Sequence, residues 1–181
     1  MGMAVTYYSA DMVRALPDDG RRYEVVHGEL LVTPAPRAWH QEVVKRLLVA
    51  LELYLSRYPA GHVLASPADI SWSDDTLIQP DVFVVPLAEA RTMSWERMKT
   101  LLLAVEVLSP STARADRFAK RRLYQEVGVP TYWIVDPERR CVEVWTPEAA
   151  FPAVEWEAVS WQPAGADQAL TVRLVELFRA V

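Results

Sequence analysis

The chain is poor in cysteine, histidine and glycine, and it has no long hydrophobic run. Of its 181 residues, one is cysteine, three are histidine and six are glycine. A single cysteine, Cys141, excludes a disulfide framework and favours a reducing compartment, so a cytoplasmic protein is expected. No apolar stretch approaches the roughly 20 residues that span a bilayer, and the N-terminus has no signal-peptide pattern. We therefore expect no membrane association.

Basic residues are outnumbered, with 19 Lys and Arg against 24 Asp and Glu and a net charge of −5. Proteins that bind nucleic acid through its phosphates usually present a basic surface, so this balance argues mildly against such binding. One local cluster argues the other way, and its members are Arg114, Arg117, Lys120, Arg121 and Arg122. The cluster is either a grip for a phosphate backbone or a solvated helix face.

Several functional classes lack their signatures. None of the three histidines lies at short helical spacing from another, which makes a zinc site improbable. The chain has no glycine-rich phosphate loop, and Cys141 has no histidine partner in its pattern, so it is interpreted as a small buried residue.

About half of the residues are apolar (51%), enough for a sizeable core. We predict a single domain over residues 1–181, with a core from about 21 to 146 and a C-terminal strand and helix. The expected fold is α/β, with one mixed sheet flanked by helices. The predicted helices are 10–16, 39–58, a short one around 91–99, 113–127 and 172–178. The predicted strands lie in 23–33, 62–65, 69–72, 78–85, 101–108, 131–135, 141–145 and 154–161.

Two of the most apolar predicted strands each contain a carboxylate. Asp81 precedes the run Val82 to Val85, and Glu106 interrupts the run Leu101 to Leu108. Burial of an unpaired carboxylate costs several kcal/mol, so such acids are usually paired or bound to a metal. If the strands are neighbours, the two acids converge and offer the oxygen ligands that Mg²⁺ prefers. The alternative is that Glu106 pairs with a buried arginine and Asp81 caps a loop.

Lys120 follows the Glu106 strand on a predicted helix, with Asp116 one turn before it. Residues at i and i+4 share a helix face, so Asp116 is placed to orient Lys120. A lysine beside a bound phosphate stabilises developing charge, whereas an ordinary intrahelical ion pair has no such role. Glu29 and His40 are further candidate metal ligands. An equal interpretation of His40 is a surface histidine beside Trp39.

Several ordered motifs resemble the Uma-two (Uma2) restriction-endonuclease-like family of the PD-(D/E)XK nuclease superfamily. The resemblance runs from about Tyr23 to Trp145. It is carried by Tyr23–Leu30, by His40, by Gln79-Pro80-Asp81, by Val105–Thr112, by Asp116 with Lys120 and Tyr124, and by Gly128–Pro137.

The resemblance implies a restriction-endonuclease-like fold, with a mixed sheet between helices and a metal site on two adjacent strands. It implies Asp81 and Glu106 as ligands of Mg²⁺, for which Mn²⁺ substitutes, and the carbonyl of Val107 as a third ligand. Glu29 corresponds to the acid that the superfamily supplies from an early element. The substrate implied is DNA, with candidate contacts from His40, Arg117, Arg121 and Tyr124.

One departure from the superfamily pattern concerns the lysine of the Glu-X-Lys motif. The motif would place it at position 108, where this chain has Leu108. The resemblance implies that Lys120, on the next helix, supplies it instead. The segment before Glu106 also lacks the family's usual proline and aspartate.

Three functional hypotheses follow from the sequence. The first is a Mg²⁺-dependent endonuclease that hydrolyses phosphodiester bonds of DNA. The second is a catalytically silent nuclease-fold module for interaction or scaffolding, with a homodimer as one option; the acidic net charge and seven tryptophans motivate it. A different metal-dependent hydrolase on the same site is a third.

Overall fold

The computed structural model describes residues 6–181. Its α-helices are α1 Ala10–Arg14, α2 Ala38–Arg57, α3 Leu87–Ala90, α4 Ala113–Ala115, α5 Arg121–Glu126 and α6 Leu174–Leu177. Its strands are β1 Arg22–Val26, β2 Glu29–Thr33, β3 His62–Ala65, β4 Val82–Val85, β5 Leu103–Val107, β6 Tyr132–Asp136, β7 Cys141–Trp145, β8 Ala153–Glu155, β9 Ala158–Trp161 and β10 Leu170–Arg173.

A six-stranded sheet in the order β3-β4-β5-β6-β7-β8 forms the centre of the fold. Every neighbouring pair is antiparallel except β5 and β6, which are parallel. The parallel pair needs a crossover, and the helical segment from α4 to α5 supplies it. This is the mixed α/β fold that the sequence predicts, and the expectation is confirmed.

Both faces of the sheet are covered. The apolar side of α2, with α6 and the β9–β10 hairpin, packs on Val82, Val84, Val105 and Trp133. The opposite face, with Phe83 and Ile134, packs against α5 and the surrounding loops. Strands buried on both faces are apolar along their whole length, which explains the runs at 82–85 and 103–107.

The β1–β2 hairpin lies outside this sheet and turns at His27 and Gly28. Both residues have positive φ, 49° and 78°, as a two-residue type I′ turn requires. The strands pair Arg22 with Thr33 and Glu24 with Leu31. A bridge from Val25 to Leu77 ties the hairpin to the segment that leads into β4.

Several predicted elements differ in the structure. The strand expected at 69–72 is wrong, because the Thr76 hydroxyl accepts from the backbone of Trp72 and draws the segment into a turn. One bridge, Ile70 to Ile78, remains there. The strand expected at 78–85 begins only at Val82, since Pro80 has no N–H for the ladder.

The C-terminal prediction also needs correction. The strand expected at 154–161 is two strands, β8 and β9, that belong to different sheets. The helix expected from Val172 begins at Leu174, because the two preceding residues extend β10 and pair with β9. Within residues 6–181, no helix is long and apolar enough to cross a membrane.

Candidate active site

Asp81 lies immediately before β4 and is 3% exposed. The register that pairs Val82 with Val105 places Asp81 opposite Glu106 one step further along. Directly opposed residues of an antiparallel pair point to the same face, with Cβ atoms about 5 Å apart. The structure therefore brings together the two strand acids that the sequence singles out.

The carboxylate of Asp81 accepts three hydrogen bonds. Arg22 Nη1 lies 2.8 Å from Oδ1, and His40 Nε2 lies 3.1 Å from Oδ2. The backbone N–H of Val107 donates to Oδ2 at 2.8 Å. Burial alone would raise the pKa of Asp81, but the His40 and Arg22 side chains outweigh it and hold that pKa well below its usual range. Asp81 is a fixed carboxylate anion.

Glu106 occupies the middle of β5 and is 1% exposed. Its Oε1 accepts from Lys120 Nζ and from the Tyr124 hydroxyl, each at 3.0 Å. Burial raises the pKa of Glu106 well above its usual value, and the neighbouring carboxylates add to this effect against the opposing charge of Lys120. The two strand acids thus differ in electrostatics although they are neighbours.

Lys120 is 1% exposed and contacts three carboxylates. Its Nζ lies 2.8 Å from Glu24 Oε1, 3.0 Å from Glu106 Oε1 and 3.5 Å from Asp116 Oδ1. Burial would lower the pKa of Lys120, but these carboxylates raise it above its ordinary value. The structure thus places Lys120 beside Glu106, whereas Leu108 is buried among apolar side chains.

A π-helical turn at Asp116–Lys120 joins α4 to α5 and carries both Asp116 and Lys120 inward. Turns of this type insert one residue and often occur at functional sites. Burial raises the pKa of Asp116 to about 6, although the Lys120 charge opposes the shift.

Glu24, which the sequence reasoning missed, takes the place expected for Glu29. Glu24 is 1% exposed, and its Oε1 accepts from the backbone N–H of Gln79 at 2.7 Å as well as from Lys120. Glu29 is exposed at the start of β2 and does not reach the cluster. Glu24 precedes Val25 and Val26, so the rule applied to Glu106, an acid inside an apolar strand, was the signal that would have found it.

The other candidate contacts divide into two groups. His40 and Tyr124 lie in the cluster, as described. Arg117 does not, because it pairs with Asp136 at 2.9 Å and Glu143 at 2.8 Å. Arg121 bonds to the Arg117 carbonyl and stacks over the Trp145 ring at 4.8 Å. Both guanidinium groups are therefore engaged by other residues of the protein and do not contact the carboxyl groups of the cluster.

Two cavities lead to the cluster. A cleft of about 630 Å³ is lined by Arg22, His40 and Asp81, and a smaller cavity of about 150 Å³ by Glu24, Asp116 and Lys120. Thr33, Ser111 and Thr112 line both. The larger volume is in the range typical of ligand sites, about 300–1,000 Å³. The two cavities therefore reach the acid cluster from two sides, and Glu106 lines neither of them.

The donor set fits a hard divalent cation. Glu24, Asp81, Glu106 and Asp116 are all buried, and the cations that contact them are Arg22 and Lys120, with His40 as a third donor. Mg²⁺ prefers oxygen ligands, and these carboxyl groups outnumber the Arg and Lys side chains that contact them. Across residues 6–181, however, no group of three or more His, Cys, Asp or Glu side chains is arranged so that it could hold a metal ion. Metal binding would have to loosen at least one of the present ion pairs.

Comparisons with known proteins agree with this fold. A family model described as "Putative restriction endonuclease", Uma2, matches residues 10–178. A crystal structure of "a putative nuclease belonging to DUF820" from Anabaena variabilis superposes with a TM-score of 0.76 at 19% identity, over 94% of this chain and 97% of that one. No curated protein matches the sequence.

Proposed function

The chain belongs to the Uma2 family, and we propose that it is a Mg²⁺-dependent endonuclease that hydrolyses phosphodiester bonds of DNA. Family and fold both suggest a restriction-endonuclease-like nuclease, and such families generally use divalent metals. Mn²⁺ is expected to substitute for Mg²⁺. A reducing compartment such as the cytoplasm remains a prediction, which the single cysteine supports.

One observation carries the proposal: four buried carboxyl groups contact two obligate cations, Arg22 and Lys120, within residues 6–181 and beside a cleft. Buried carboxyl groups are costly, and proteins keep them where they bind cations or perform chemistry. We assign Asp81 and Glu106 as the metal ligands, with Glu24 replacing Glu29 as the early acid. The Val107 carbonyl remains the expected third ligand.

The protein's own groups have separable roles in this proposal. A divalent cation held there would supply Lewis acidity and neutralise charge on the phosphate. Lys120, already fixed by Glu24 and Glu106, stabilises the charge that develops on the phosphate oxygens. Arg22 and His40 hold Asp81 ionised and fix its orientation. Tyr124 fixes Glu106 through its hydroxyl.

Nicking of supercoiled plasmid in Mg²⁺ or Mn²⁺ tests the proposal. Asp81→Asn and Glu106→Gln keep side-chain shape but remove the charge that holds the cation, so each should lower the nicking rate by at least a hundredfold. Glu52→Gln is the matched control, because Glu52 is exposed on α2, and it should nick like the wild type. Nicking that persists in both site variants, or none in either metal, would refute the proposal.

A catalytically silent scaffold is the second candidate, with a homodimer as one form of it. The favouring observation is that Arg22 and His40 already satisfy Asp81 and that Lys120 already satisfies Glu106, so the cluster is stable as an internal ion-pair network. In that case calorimetry should show no Mn²⁺ binding that depends on Asp81. Mn²⁺ binding that Asp81→Asn abolishes would exclude this candidate.

A further inference from the structure

The long helix α2 begins without a side-chain cap. Its N-cap residue is Arg37, in the extended conformation, and its first turn has no acidic residue. The first N–H groups of a helix have no acceptor within it and carry the positive end of the helix dipole. Ser, Thr, Asp or Asn usually fills this position. This 20-residue helix instead presents an open, electropositive N-terminus.

His40, in the first turn of α2, provides a second and independent observation. Its side chain is 10% exposed and lines the larger cleft. Its Nε2 bonds to Asp81, whereas its Nδ1 is buried and has no hydrogen-bond partner among residues 6–181. A buried polar atom without a partner is costly, so it marks a position for a ligand atom. With Nε2–H donated to Asp81, Nδ1 donates to an anion in the doubly protonated form of the ring.

The charges that line the same cleft favour an anion. Arg21 and Arg37 are both exposed at its rim, while Arg22 is already engaged by Asp81. Asp18 is the other acid that lines the cleft, and the Arg21 guanidinium forms a long pair with Asp19 at 3.6 Å. Hydroxyl groups of the 109–112 segment complete the lining.

We propose that this end of the cleft binds a backbone phosphate of DNA adjacent to the scissile one. The groups that hold it are the N-terminus of α2, His40, Arg21 and Arg37. The inference rests on the proposed nuclease function, and it adds where the DNA is gripped. It also moves the grip away from Arg117 and Arg121, whose guanidinium groups are taken up by Asp136, Glu143 and Gln125.

Fluorescence anisotropy with a labelled duplex DNA tests the grip. The titration runs over a salt series in chelator, so no cleavage occurs. Each phosphate contact contributes close to one unit to the slope of log affinity against log salt. Arg21→Ala and Arg37→Ala should each weaken binding by about fivefold or more and reduce the slope by about one. Arg91→Ala, an exposed arginine on another element, should bind like the wild type.

Arg37→Asp separates a phosphate grip from a structural role. An aspartate at the N-cap supplies the missing cap, so the variant should melt at a higher temperature than the wild type. The same carboxylate occupies the anion position and should abolish DNA binding. Wild-type DNA affinity in Arg37→Asp would overturn the inference, as would a wild type that binds no duplex.

The outcomes for grip and chemistry are distinguishable. Arginine-dependent binding without plasmid nicking would sustain the grip and refute the nuclease. Nicking with binding that is the same in Arg21→Ala, Arg37→Ala and Arg91→Ala would sustain the nuclease and refute the grip.

Discussion

The pKa values of two neighbouring carboxyl groups of the cluster are shifted in opposite directions. The pKa of Asp81 is lowered by His40 and Arg22, whereas burial raises the pKa of Glu106. Separation of the pKa values of adjacent acids is how enzymes give them different roles. Asp81 stays ionised, so under the proposed function it would be the first ligand that a cation meets. Glu106 would bind a cation only after it gives up its proton or its contact with Lys120.

Asp116 gives the residue-scale prediction, which concerns pH. Its pKa is raised from 3.8 to about 6, chiefly by burial, so the folded state holds this proton more tightly than the unfolded state. The contribution of Asp116 to the free energy of unfolding is therefore present below about pH 4 and is lost as pH rises through about 6. Asp116→Asn keeps a neutral side chain at every pH. The free energy of unfolding of this variant should match that of the wild type near pH 4. At neutral pH it should exceed the wild-type value by on the order of 2–3 kcal/mol.

Urea unfolding of both proteins from about pH 4 to pH 7 checks this expectation. Asp74→Asn is the control, since Asp74 is exposed, and its profile should run parallel to that of the wild type. A difference between Asp116→Asn and the wild type that is flat with pH, or that shrinks as pH rises, would contradict the assignment.

Single residues also show how far the sequence reaches. Asp81, Glu106 and Lys120 are detectable because charge inside apolar strands, or on the next helix, stands out in the pattern. Arg22 is not detectable in this way, because its partner Asp81 is 59 residues away and no local spacing records the pair. Glu24 and Glu29 lie on the same face of the β1–β2 hairpin, but Glu29 is beside the exposed turn at its end, whereas Glu24 is buried further along it.

At the scale of elements, the site depends on how the crossover helix is built. The periodicity from 113 to 127 predicts a continuous helix, whereas the structure inserts a π turn between α4 and α5. The extra residue leaves the apolar spacing readable, so the sequence pattern does not reveal it. The sequence pattern also does not reveal β10, because residues from 172 onward are predicted to form a helix. In the structure, buried and exposed residues of β10 alternate with the period of a strand.

Two glycines, one in the β1–β2 turn and one after α5, give the prediction at the scale of elements. Gly28 and Gly128 both have positive φ, 78° and 74°, so alanine is strained at either position. A Cβ at Gly128 meets nothing within 4 Å, whereas one at Gly28 would lie 2.2 Å from the Tyr7 ring. Gly128→Ala should therefore lower the free energy of unfolding by about 1–2 kcal/mol, and Gly28→Ala by more.

Urea unfolding of the two alanine variants side by side gives the comparison. Gly128→Asn serves as a control, because asparagine tolerates positive φ better than alanine and should recover part of the loss. Equal losses for Gly28→Ala and Gly128→Ala would show that the Tyr7 contact does not hold the β1–β2 hairpin. The ordering matters for the site, since this hairpin supplies both Arg22 and Glu24.

At the scale of the whole molecule, the proposed function would require an acidic chain to attract both DNA and a cation. The net charge of −5 repels a phosphate backbone, so any affinity must be local, at the cleft. The same excess of acid favours the uptake of a divalent cation, because four carboxylates face Arg22 and Lys120 inside the fold. Cation and phosphate would therefore be attracted by different parts of one cleft.

Metal should therefore stabilise the folded protein as a whole. A ligand that binds only the folded state adds about 2.7 kcal/mol at a hundredfold excess over its Kd. For a chain of this size each kcal/mol raises Tm by about 2–4 °C, so saturating Mn²⁺ should raise Tm by about 5–11 °C. The double variant Asp81→Asn/Glu106→Gln should show no such rise, and NaCl of equal ionic strength should not reproduce it. Scanning calorimetry over a Mn²⁺ series measures the shift, and equal shifts in wild type and double variant would place the metal outside the Asp81–Glu106 site.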